Sequence, residues 1–285
     1  MTVPARRSRM LRGEKRAAWI SAISTAVVLA VIALLVLSAP GSDNVARSFF
    51  SAEHLKGATL GTERTASVPA AFFRVTVRMF LISEVLVLVF GLLLAVLRSL
   101  PGAVFFPFRI LAIAYIDFFR GIPLLLVMFI VGFGFPGLEL GPISRQSLFT
   151  YGVISLVLVY SAYVAEVYRA GIDSVHQSQT SAARSLGLSR TQAMRYVVLP
   201  QAIRRVLPPL LNDFIGLQKD TALVAAIGLV EVVRTAQAYN TTHFNFSALT
   251  VAATLFILLT IPLARFTDYL IARDQRRMRA AGGVR

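Results

Sequence analysis

Six stretches of this chain are almost wholly apolar, and its charges fall into short blocks between them. A transmembrane helix needs about 20 largely apolar residues to cross ~30 Å of hydrocarbon. By that measure Ala17–Leu37, Val77–Leu97, Phe118–Phe135, Tyr151–Tyr168, Pro209–Val230 and Leu249–Ile271 predict six spans and an all-α membrane protein. The first run follows a basic start, MTVPARRSRMLRGEKR, as a signal peptide would. It is too long for the apolar core of such a peptide, which predicts an uncleaved first helix. The stretch 39–69 is rich in Gly, Ser, Thr and Ala and without periodicity, so it reads as an irregular outer loop.

An even number of spans puts both termini on one side. Lysine and arginine number six before Ala17, two in 98–110, six in 169–208 and five after Ile271, or 19 on that side. The opposite side holds Arg47, Lys56, Arg64 and Arg145. This bias predicts a multi-pass protein of the cell membrane with both termini and the 169–208 loop in the cytoplasm.

Composition agrees: 56% of the 285 residues are hydrophobic and 15% charged. A net charge of +15 would suit a nucleic-acid partner, but the arginines stand beside apolar spans, which points to a lipid bilayer and not to nucleic acid. The absence of cysteine excludes disulfides, thiolate catalysis and cysteine metal sites. His54, His176 and His243 are scattered without ligand spacing and read as loop residues.

One polar segment is punctuated too regularly for a simple connection. In QTSAARSLGLSRTQAMRYVVLPQA (179–202), Ser178 can cap a helix running to Leu186, and Gly187 tolerates left-handed geometry at its end. Ser189 with Gln192 has the spacing of a capping box opening a second helix, which Pro200 is expected to stop. Ala182, Ala183 and Leu186 form one apolar face; Ala193, Met194, Val197 and Val198 form the other. Arg184, Arg190 and Arg195 stand around this knob. Such a unit can rest on an anionic membrane surface or dock to a soluble partner, and physics alone leaves both open.

The segment resembles the EAA loop of ABC importer permeases, whose pattern is EAA, three residues, Gly, nine residues, I-x-LP. Ala182 and Ala183 match the alanines, Gly187 the glycine, Val197 the isoleucine position, and Leu199 with Pro200 the final pair. YIDFFRGIPLL (115–125), YVAEVYRAGIDSV (163–175) and LPQAIRRVLPPLLNDFIGLQKDTALVAAIGLVE (199–231) are similar to the polar amino-acid uptake branch. The likeness runs from about Phe72 to Ile271. Two positions depart from it: Ser181 stands for the motif glutamate, and Ser178 for the glycine before its glutamine.

The resemblance implies a five-helix permease core at 70–271, with an added first helix and outer loop (1–69) and a basic tail (272–285). It implies cytoplasmic coupling helices through which Ser181, Ala182, Ala183, Arg184, Gly187, Leu199 and Pro200 meet ATP-binding cassette ATPase subunits. A second permease subunit (the same or different), an extracytoplasmic solute-binding protein and an amino-acid substrate are implied as well. The chain lacks G-x-x-x-x-G-K-[ST], so it is expected to be no enzyme and to bind no cofactor, with ATP and Mg on the ATPase.

Ionisable residues within spans are functional candidates. Asp213 and Asp220 share a helical face, and Lys219 points about 120° away. Lys219, Asp220 and Thr221 fall near mid-bilayer, where a kinked or partly unwound helix would line a cavity; an interhelical packing pair is the other reading. Glu84 lies in the outer third of its span and reads equally as substrate contact or internal hydrogen-bond partner. Arg120, Gly121 and Pro123 are expected to shape the start of the third span. An ion-coupled secondary transporter is the competing class, but the internal repeat common in such proteins is missing between 70–135 and 209–271. An intramembrane enzyme would need a motif such as H-E-x-x-H or G-x-S-x-G, and neither occurs.

Overall fold

The computed structural model describes residues 5–139 and 141–282, and every regular element among them is helical. The chain divides into two compact units, Met1–Ser51 and Ala52–Arg285. The first contains α1 (Ala5–Leu37), whose stretch Trp19–Leu37 is apolar enough to span, and α2 (Ser42–Phe49). In α2, Asp43 in the first turn and Arg47 in the last both complement the helix dipole. Side chains of the basic cluster before Ala17, and those beyond Arg276, lie outside the described residues.

The second unit runs α3 (Ala52–Leu60), α4 (Val68–Ser99), α5 (Phe106–Gly121), α6 (Leu124–Gly137), α7 (Leu148–Asp173), α8 (Gln177–Ser185), α9 (Arg190–Ile227), α10 (Val232–His243) and α11 (Ser247–Gly282). Helix α7 is the central post. Its Tyr151, Leu156, Val159, Tyr160 and Val164 are buried with Met79, Phe80 and Val87 of α4, Val127 and Val131 of α6, and Leu217, Val224 and Ile227 of α9. A second cluster joins Ala58 of α3, Val68 and Phe72 of α4, Tyr239 of α10, and Ala248 and Ala252 of α11.

Four helical stretches are long and apolar enough to cross a membrane: Trp19–Leu37, Val68–Ser99, Leu148–Asp173 and Ser247–Arg273. Two further pairs qualify only together. Helices α5 and α6 meet at 105°, and α9 and α10 at 50°.

Several sequence expectations are corrected. The stretch 39–69 holds two short helices, α2 and α3, of eight and nine residues, each too short to show a long apolar periodicity in the sequence. The expected third span is broken inside its first turns: α5 ends at Gly121, and Pro123, unable to continue the helix, stands immediately before α6. The expected fifth span does not begin at Pro209. Helix α9 starts at Arg190 and passes Pro200, Pro208 and Pro209. A wide π-type turn over Met194–Val198 takes up the lost hydrogen bond and ring clash at Pro200, so that proline does not stop the helix.

Candidate functional site

The polar segment between α7 and α9 folds as a two-helix knob. Helix α8 begins two residues earlier than expected: His176, not Ser178, is its N-cap, accepting the Ser178 N–H at Nδ1 over 3.2 Å. Gly187 closes α8 with φ +90. The Gly187 N–H donates to Arg184 O at 3.0 Å and the Leu188 N–H to Ala183 O at 3.2 Å, the paired bonds of a Schellman motif. Ser189 then opens α9 with the expected capping box: its hydroxyl accepts the Gln192 N–H at 3.2 Å, while Gln192 Oε1 accepts the Ser189 N–H at 2.8 Å.

Only part of the expected apolar faces turns inward. Ala183, Ala193 and Val198 are buried, but Ala182 and Met194 are exposed, and Leu186 stands 82% exposed beyond the last turn of α8. Ser181, Arg184, Leu199 and Pro200 are also on the surface, and Arg195 lies over the Tyr196 ring at 5.7 Å. The base of the knob is fixed: Val175, Val198 and Ala202 pack with Ile172, and the Arg205 guanidinium donates to the Ser174 carbonyl. A rigid, capped element thus presents small, apolar and cationic side chains to its surroundings.

The second group lies where α9 changes form. Its α-helical part ends at Asp220, a 3₁₀ turn covers Thr221–Ile227, and Gly228 at φ +94 precedes α10. Tyr160 Oη of α7 donates to Asp220 Oδ2 at 2.8 Å. Asp213 and Asp220 both face Tyr160 electrostatically, as their shared face implied, whereas Lys219 is exposed and has no partner among the described residues. Asp220 thus forms an interhelical pair, with a tyrosine hydroxyl of α7, while Lys219 turns away from it. Thr221 is buried and donates to the Gln218 carbonyl at 2.7 Å. Gln218, 1% exposed, accepts from Thr260 Oγ1 of α11 at 2.8 Å. Glu84 is half-buried midway along α4, with Asp213 near enough to act on it electrostatically.

Three clusters were missed. Arg98 Nη1 of α4 meets Glu166 Oε2 of α7 at 2.9 Å, and Arg169 bonds both Glu166 and Asp173, a chain of charges leading towards the knob. The spacing of Glu166, Arg169 and Asp173 on one helix was a readable signal; Arg98, far away in sequence, was not. His54 and His243, read as loop residues, lie in α3 and α10 and converge on Tyr239, with His54 Nδ1 3.2 Å from its hydroxyl. Glu231, 1% exposed, caps α10 by accepting the Arg234 N–H at 2.9 Å.

Residues 87–277 match the family described as binding-protein-dependent transport system inner membrane component. The chain is 38% identical over 189 residues to a probable glutamine ABC transporter permease protein, GlnM, of Bacillus subtilis, covering 66% of this chain and 84% of that one. It is 34% identical over 215 residues to the glutamate transport system permease protein GluC of Corynebacterium glutamicum, covering 72% and 92%. A crystal structure of an amino acid ABC transporter with histidines superposes with a TM-score of 0.65 at 31% identity, over 72% of this chain and 94% of that one. The methionine transporter MetNI, inward facing, shares the fold at 19% identity with a TM-score of 0.56, over 70% and 92%.

Proposed function

Since this chain belongs to the family of binding-protein-dependent transport system inner membrane components, in the polar amino-acid branch of the ABC importer permeases, we propose that its knob is the element through which ATP hydrolysis moves the membrane helices. The chain is a multi-pass, non-enzymatic permease subunit for amino-acid import. On this reading ATP and Mg are bound by separate cassette ATPase subunits, which receive α8 and the start of α9 in a cleft. A second permease subunit completes the pathway, an extracytoplasmic binding protein delivers the amino acid, and both termini are cytoplasmic.

The observation that carries the proposal is mechanical continuity. The exposed knob is locked by its own caps, and α9, after the widened turn at Met194–Val198, runs as one α-helix from Leu199 to the 3₁₀ turn at Thr221, where Asp220 is tied to α7. A push on the knob therefore reaches the buried polar residues through one helix. Lys219, Asp220 and Thr221, with Glu84 across from Asp213, are the proposed gate or pathway wall.

Reconstitution in liposomes with the ATPase and the binding protein tests the reading. Uptake should require ATP and survive dissipation of proton and sodium gradients; uptake that persists without ATP and collapses with a gradient contradicts it. Reporter fusions within 39–69 and at Ala280 should report opposite sides of the membrane, and the same side for both contradicts the assigned topology.

A further inference from the structure

The knob has a second root besides α9. Helix α7 enters it through Ser174, Val175 and His176, and the last two turns of α7 carry charges that the proposed gate does not use. Glu166 Oε2 accepts from Arg98 Nη1 of α4 at 2.9 Å, and both Glu166 oxygens accept from Arg169 Nε at 3.1 Å. Arg169 also pairs with Asp173, and the next residue, Ser174, offers its carbonyl to the Arg205 guanidinium of α9. Arg120, at the end of α5, is near enough to act on Glu166 electrostatically. One carboxylate is thus acted on by arginines of three helices, and the chain of charges ends where α7 passes into the knob.

The setting separates this pair from an ordinary surface bridge. The side chains of Arg98 and Glu166 are 24% and 21% exposed, so water and salt screen them less than they would a surface pair. Next to it Ala95 of α4, Ile116 of α5 and Ala165 of α7 are buried against one another. An apolar contact of this kind can slide, whereas a carboxylate held by guanidinium donors fixes direction as well as distance. We infer that Glu166 is a positioning residue for transport, which carries displacement of the knob through α7 to Arg98 and so to α4, in parallel with the route along α9. The inference rests on the reading of the knob as the coupling element. It adds that α4 follows the knob only while Arg98 and Glu166 are paired.

Uptake per ATP hydrolysed, measured on the transporter reconstituted with its ATPase and binding protein, tests this. Arg98→Gln should lower the ratio about fivefold, within the range by which residues between two sites alter their coupling, while the ATPase still co-purifies. Arg98→Lys, which keeps the charge, should recover most of the loss. Arg98→Gln combined with Glu166→Gln should lower the ratio no further than Glu166→Gln alone, since both residues act through one contact. The inference is overturned if Arg98→Gln leaves the ratio unchanged, if Arg98→Lys is no better than Arg98→Gln, or if the two losses multiply. An Arg98→Gln permease that no longer assembles with the ATPase also overturns it, since the pair would then serve packing alone. Failure of the knob reading itself shows elsewhere: Gly187→Val, whose added side chain starts in open space away from this network, would keep full association and full stimulated hydrolysis.

Discussion

Helix α9 is interrupted twice, and the two interruptions have opposite characters. Near its start the helix widens over Met194–Val198, in an exposed segment whose stops and starts are all set by neighbouring residues. Near its end it tightens into the 3₁₀ turn Thr221–Ile227, held by partners from other helices: Tyr160 on Asp220, and Thr260 on the Gln218 side chain. The first interruption can keep its shape while it moves as a body. The second depends on how α7 and α11 sit against α9, so a displacement of α9 is felt there first. A rigid handle and a context-dependent joint on one helix are what a device for transmitting motion requires.

The sharpest way to break this contrast is to loosen the helix between the two points. A Cβ at Gly171 of α7 would stand 2.1 Å from Val206 Cγ2 and 3.4 Å from Ala202 O, so α7 and α9 cannot keep their spacing with any larger residue there. Gly171→Val should cost about 1–3 kcal/mol through overpacking and lower the thermal midpoint of the purified permease measurably. An unchanged midpoint would mean that this contact does not set the spacing.

At the joint, Tyr160→Phe removes one hydroxyl and keeps the ring. Asp220 then loses its hydrogen bond in a half-buried setting, at a cost of about 1–3 kcal/mol. Reconstituted transport should fall while the ATPase still co-purifies with the permease. Loss of co-purification would show that the two interruptions are not separable. Lys219→Gln, on an exposed side chain, should leave stability within about 0.5 kcal/mol, so any change in uptake would speak for a role in the pathway.

The same contrast explains what the sequence disclosed. Gly187, Ser189 and Gln192 act within a few residues of one another, and the knob was legible down to its capping box. The error there was small: a histidine two residues upstream caps α8 in place of Ser178. The six apolar runs foretold the helical membrane fold, but not the 105° bend between α5 and α6, since composition cannot say whether an Arg-Gly-Ile-Pro stretch bends a span or begins one. Proline misled twice along α9, because a helix can pass Pro200 by widening, an option the local sequence does not announce. Tyr160 with Asp220, and Arg98 with Glu166, join residues far apart in the chain, and only packing brings them together.

The smallest expected effect sharpens the rigid half of the comparison. Ser181→Glu places an acid at the middle of α8, beyond the first turn in which the helix dipole acts, so the permease's own stability should stay within about 0.5 kcal/mol. It also brings the segment closer to the EAA pattern. Association with the ATPase, measured by pull-down from detergent, should be equal to wild type or stronger. Weaker association would mean that the partner surface has adapted to serine.

The central claim is that the knob works because Gly187 holds α8 and α9 at a fixed angle, and Gly187→Val tests it most directly. A Cβ there would meet no atom within 4 Å, so the substitution creates no clash inside the permease and acts through backbone conformation alone. At φ +90 a β-branched residue carries a left-handed penalty of about 1–2 kcal/mol, and the turn should rearrange. The decisive measurement is binding-protein-stimulated ATP hydrolysis by the reconstituted variant, made alongside its co-purification with the ATPase. The account predicts a normally inserted permease that has lost stimulated hydrolysis, association, or both; full association with full stimulated hydrolysis would contradict it.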